Sequence, residues 1–126
     1  MKKLLILLFS ILISFNSYGE WKKYWEGGGD SAYVDISSIK QNNEYVYYWR
    51  MSDNAKPDKW GDMSAQIYTQ GHCNLNRIKT LSYVFYKRGM GEGPSEHEDS
   101  INKDWKYPTP NSYALDALNY VCDYVK

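Results

Sequence analysis

Charge of one sign, histidine, cysteine and long apolar runs are all scarce in this sequence, and each shortage closes a class of function. Lys plus Arg and Asp plus Glu both count 15, so there is no basic excess of the kind that neutralises a nucleic-acid backbone. Only 2 His and 2 Cys are present, with no C-x-x-C and no H-x-x-x-H spacing, which argues against a metal centre. Past Phe15 no stretch is apolar enough to span a bilayer. A length of 126 residues excludes a TIM barrel or any other fold that needs about 200 residues. What the chain does hold is tyrosine and tryptophan, 13 and 5, a composition that favours strands over helices.

The first segment reads as a leader. Met1-Lys2-Lys3 is a short positive start, Leu4 to Phe15 is a run of apolar residues and Ser, and Ser17 and Gly19 are the small residues of a cleavage site after Gly19. This is the order of a secretory signal peptide. As a helix the run would reach only about 18 Å, short of a ~30 Å hydrocarbon core. Residues 1–19 are therefore expected to be removed, leaving 20–126 as a single domain. No Cys lies at the cut, so a diacylglyceryl anchor has no attachment point and no stable membrane anchor is expected. The expected location is the periplasm, the cell surface or the medium. Cys73 and Cys122 both fall in the exported part, and an even count in an oxidising compartment predicts a disulfide.

The mature chain reads as an α+β domain. Strands are predicted over Glu20–Glu26, Ser31–Asp35, Glu44–Asp53, Met63–Cys73 and Arg77–Lys87, from their β-branched and aromatic residues and their alternation. Gly27-Gly28-Gly29-Asp30 is a turn, Ile36–Gln41 a helical turn, Asn54–Asp62 a loop, and Arg88 to about Lys103 a longer acidic loop. In Met63–Cys73 the residues Met63, Ala65, Ile67 and Cys73 share the apolar side. A last helix follows Pro110, with Asn111 or Ser112 as N-cap and Ala114, Leu115, Leu118, Val121, Cys122 and Val125 on one stripe. Cys122 on that stripe and Cys73 on the apolar strand face would pin helix to sheet. The predicted architecture is an antiparallel sheet of five to six strands with one C-terminal helix packed on it, tied by the disulfide.

Motifs for chemistry are weak. Ser37-Ser38-Ile39-Lys40 is an S-x-x-K without the companion elements that give it meaning. Glu96-His97-Glu98-Asp99 places consecutive side chains that do not converge on one ion, and Gly89–Gly93 lacks a phosphate-loop pattern. No Ser-His-Asp set can be assembled. The chain is expected to be no enzyme, with no cofactor and no metal. Its Tyr and Trp side chains suit protein contact instead. On Glu44–Asp53 one face carries Tyr45, Tyr47, Trp49 and Met51. If that face is core, the other is an outward patch with Tyr48 and Arg50, to which Tyr68 and His72 could add.

The ordered features resemble a known family. Trp21, the stretch Tyr33-Val34-Asp35-Ile36-Ser37-Ser38-Ile39-Lys40, Trp49, Pro57, Ser64, Tyr68, Cys73, Arg77, Tyr83, Met90-Gly91, Gly93, Trp105, Pro110-Asn111-Ser112 and Val121-Cys122 follow the pattern of the surface-adhesin protein E family of Gram-negative bacteria. The resemblance implies a sheet with a C-terminal helix, and attachment to host matrix or plasma proteins such as vitronectin, laminin and plasminogen. The C-terminal Lys126 would then be a handle for the lysine sites of plasminogen. The second reading is a periplasmic inhibitor or immunity protein that blocks an enzyme.

Overall fold

A computed structural model describes residues 19–98 and 101–126. The leader, except Gly19, and Asp99 lie outside the described residues. Seven strands form one antiparallel sheet: β1 Trp21–Gly27, β2 Asp30–Asp35, β3 Lys40–Asn42, β4 Tyr45–Asp53, β5 Ser64–His72, β6 Arg77–Tyr86 and β7 Ser95–Glu98. Their order across the sheet is β1-β2-β4-β5-β6-β7, and β3 pairs with one end of β4. A single α-helix among the described residues, α1, spans Tyr113–Tyr124.

The β1–β2 hairpin turns on Gly28 and Gly29, both at positive φ, a conformation glycine reaches without a Cβ penalty. Register slips by one residue between Lys23 and Trp25, and a bulge of this kind lets neighbouring residues act on one side. Tyr24 and Trp25 both meet the helix: Trp25 lies 4.6 Å from Tyr113 between ring centroids, and Tyr24 Oη donates to the Tyr113 carbonyl at 3.0 Å. The helix starts where Ser112 Oγ accepts from the Leu115 N–H at 3.2 Å, so the Ser alternative for the N-cap is the one realised. Asn111 instead takes φ 64°, a left-handed value that Asn tolerates better than most residues.

The core lies between α1 and the centre of the sheet. Val34, Val46, Tyr48, Ile78, Ala117, Leu118 and Val121 form it, each nearly or wholly buried. Burying such aliphatic side chains stabilises by about 1.5–3 kcal/mol apiece. Gly71 on β5 makes the close approach possible: a Cβ there would run into Leu118 Cδ1 and stand 3.1 Å from Val46 Cγ2. Just past β5, Cys73 is joined to Cys122 on α1, with 5.9 Å between their Cα atoms.

Three departures from the sequence reading have physical causes. The predicted helical turn at Ile36–Gln41 shortens to a 3₁₀ turn over Ile36–Ser38, and Lys40–Asn42 becomes β3. The supposed acidic loop contains β7, whose Ser-Glu-His-Glu sequence carries no apolar residue because the strand is exposed throughout. Charged side chains on such a strand discourage further edge pairing. Most consequential, the predicted outward side of β4 is the buried one.

Candidate functional site

The β4 side that carries Val46, Tyr48 and Arg50 faces the helix. Tyr48 is 0 % exposed, so it cannot meet a partner in the folded chain, and the expected patch of Tyr48, Arg50, Tyr68 and His72 does not exist as one surface. Arg50 Nε reaches Thr69 Oγ1 at 3.3 Å on the same side. Tyr68 and His72 have the opposite strand parity and lie on the other face of the sheet. His72 is buried there: its Nδ1 accepts from the Leu75 N–H at 3.2 Å and its ring meets the Tyr45 ring edge-on. Lys126 stands apart, highly exposed, with Nζ 3.2 Å from Asp123 Oδ1.

Tyr48 and Tyr24 show the electrostatics of the helix side. Burial raises the Tyr24 phenol to about 12, against the opposing pull of the Arg50 guanidinium. Burial pushes the Tyr48 phenol further in the same direction, and Tyr48 Oη has no hydrogen-bond partner among the described residues. Both groups stay neutral at any physiological pH and belong to the core.

The helix-free face is built from the residues first read as core. Trp49 and Tyr68, paired across β4 and β5, hold their rings 5.1 Å apart. Tyr47 Oη accepts from Gln70 Nε2 at 3.1 Å, and Met51 stands opposite Gln66. Trp21, Tyr33, Tyr47, Trp49 and Tyr68 are all half-buried, so a row of amphipathic rings meets solvent here without the helix above it. The turn Gly89–Gly91, with Met90 and Gly91 at positive φ, folds over part of the row. It is fixed by Met90 N–H donating to Asp53 Oδ1 and Gly91 N–H donating to Ser64 Oγ, both at 2.9 Å. Between this turn and the start of β1 lies an open pocket of about 400 Å³, lined by Trp21, Asp35, Trp49, Gln66, Met90 and Glu92 among others.

At the far end of the same face, Trp105 stacks on Tyr45 at 5.9 Å and lies under the Arg77 and Lys79 cations at 4.5 and 4.7 Å. Lys106 ties this segment to β6 through paired backbone bonds with Ile78 at 2.8 Å. On β7, Glu96 and Glu98 share one strand parity and His97 has the other.

These features define a small disulfide-tied sheet-and-helix domain whose helix-free face presents aromatic side chains, an arrangement suited to binding a macromolecule. The surface-adhesin protein E family matches residues 21–123, and the chain belongs to that family. Its fold is similar to a second crystal form of Haemophilus influenzae protein E, at 18% identity and a TM-score of 0.64, over 87% of this chain and 100% of that one. It is similar also to protein E from non-typeable Haemophilus influenzae, at 16% identity and a TM-score of 0.58, over 82% of this chain and 75% of that one. A comparison with curated proteins finds no match. Family membership supports a binding role of the adhesin kind and an exported or surface-exposed protein. No helix among the described residues is long and apolar enough to cross a membrane.

Proposed function

We propose that the chain, exported as residues 20–126, is a non-catalytic adhesin-like module that attaches to a host matrix or plasma protein, with vitronectin, laminin and plasminogen as the partners to test. The helix-free row of half-buried Trp and Tyr side chains carries this reading. Rings of this kind offer large contact area with few torsions to freeze, and they dominate the energy of many protein interfaces. Trp49 and Tyr68 at the centre of the row are the anchors, and Trp21 beside the pocket extends it. Lys126 is a separate handle for plasminogen alone, since it offers an exposed ammonium of the kind that lysine-binding domains clasp.

Surface plasmon resonance against the three immobilised proteins tests the reading. Trp49→Ala and Tyr68→Ala should each weaken binding about 30-fold or more, the scale of an interface anchor. Tyr107→Ala, which alters an exposed ring outside the row, should leave it unchanged. Deleting Lys126 should affect plasminogen only. Failure of the intact protein to bind any of the three, or binding by both row variants as tight as that of the intact protein, refutes the proposal.

A further inference from the structure

The start of β1 holds a group that export would change chemically. The backbone N of Glu20 donates to Asp35 Oδ1 at 2.8 Å, and the Glu20 carbonyl accepts from the Ile36 N–H at 2.9 Å. Residue 20 is thus held through both of its backbone polar groups by the end of β2. Asp35 is only 8% exposed, and the same Oδ1 also accepts from the Ser37 N–H and hydroxyl. Gly19 sits against the other oxygen: a Cβ at position 19 would collide with Asp35 Oδ2. In the uncleaved chain the atom at this spot is a neutral amide nitrogen with one hydrogen.

We propose that cleavage after Gly19 turns this nitrogen into the α-ammonium of the mature chain and that Asp35 is its counter-ion, so that proteolytic processing completes an ion pair at the edge of the aromatic pocket. The inference rests on the export reading above. Loss of Gly19 uncovers Asp35 Oδ2, and an ammonium has three hydrogens where the amide had one, enough to engage both carboxylate oxygens. The amide-to-carboxylate bond has charge on the acceptor alone, and an ammonium donor adds an ion-pair attraction to it. The other charged groups near the site leave an acidic surplus. The Glu20 carboxylate is partnered at 3.7 Å by Lys22 at the start of β1, and Glu92 lines the pocket just after Gly89–Gly91. With Asp35, these favour the charged form of the amine, so its pKa should rise above the usual α-amino value of about 8.

The test compares a chain that begins at Glu20, released from a fusion by a protease, with one extended to begin at Ser17, whose amine is three residues further from Asp35, and each with its Asp35→Asn counterpart. The rate of α-amine acylation across pH reports the pKa. The Glu20 chain should acylate about tenfold more slowly near neutral pH than the other three, equivalent to a rise of about one pKa unit. Its thermal advantage over the extended chain should be complete below pH ~8 and lost as pH climbs through the raised value, because the unfolded amine gives up its proton first. The native envelope protein should begin at Glu20 by mass spectrometry. Equal amine reactivity in the Glu20 and extended chains overturns the proposal, as does a native N-terminus at another residue. Should Asp35→Asn fail to fold, the extended chain still decides the matter with Asp35 intact. None of these readings involves a host protein, so failure of the binding proposal and failure of this one are separately visible.

Discussion

Replacing Gly71 by Ala puts the helix–sheet contact under direct test. Gly71 is on the core face of β5, one residue before the strand ends, and its φ lies outside the left-handed region, so alanine is permitted by the backbone and even favoured within a strand. Any loss is therefore steric. The added Cβ would meet Leu118 Cδ1 well inside contact distance and Val46 Cγ2 at 3.1 Å, with Tyr48 Cε1 at 3.5 Å behind. Leu118, Val46 and Tyr48 are all 0% exposed, which leaves none of them open space to swing into. Overpacking of this size costs about 1–3 kcal/mol. With a midpoint shift of about 4–5 °C per kcal/mol for a domain of roughly this length, the melt should move down by about 4–15 °C.

A double-mutant cycle isolates the contact. Leu118→Ala alone should cost about 2–5 kcal/mol through the cavity it leaves. Combined with Gly71→Ala, the new methyl occupies part of that cavity, and the pair should cost about 1–2 kcal/mol less than the two single losses together. Thermal and urea melts followed by circular dichroism, with the disulfide intact, give all three values. A Gly71→Ala protein as stable as the parent, or strict additivity in the cycle, would show that the helix does not approach β5 as closely as described.

Three further outcomes are expected. Cys122→Ser opens a bridge between residues 49 apart in sequence, and the loop-entropy relation puts the loss near 4 kcal/mol; melts should show it, and a thiol reagent should find Cys73 newly reactive. Tyr48→Phe removes a buried hydroxyl that has no partner among the described residues, so it should stabilise by about 1 kcal/mol, and a clear destabilisation would reveal a bond that the geometry lacks. Alkaline stability should fall between pH ~10, where unfolded tyrosine ionises, and about 12, the folded Tyr24 value, because the unfolded state deprotonates first. Tyr24→Phe should make that fall shallower in a pH series of urea melts, and an unchanged slope would contradict the burial of this phenol.

Much of the fold was legible because its signals are local. The alternation in Met63–Cys73 put Ala65 and Ile67 on the buried side, and both are buried in β5. The stripe after Pro110 set the helix and its inward side, and the two apolar placements of Cys73 and Cys122 led to the bridge. The strands that escaped notice, β3 and β7, are short and exposed along their whole length. A strand held only by backbone bonds to one neighbour needs no apolar pattern, and so leaves none in the sequence.

The site was misread for a different reason, and β4 shows it. Its two faces are Tyr45, Tyr47, Trp49, Met51 and Val46, Tyr48, Arg50, Ser52, each mixing large rings with polar tips, so alternation gives the register but not which side is inward. Tyrosine is the ambiguous residue: wholly buried at Tyr48, half-exposed at Tyr47, with the same side chain at both. The deciding signal was on the neighbouring strand. Gly71, opposite Val46 in the β4–β5 register, interrupts an otherwise side-chain-bearing strand, and glycine in a strand interior marks a close approach by another element. The element that needs such room is the helix, whose partner cysteine lies two residues further on at Cys73. Once Gly71 and Cys73 are taken together as the helix side, Val46 and Tyr48 must point inward. Trp49, one residue on from Tyr48, is then turned to the helix-free face with Tyr68, and the residues able to meet a partner follow from that parity.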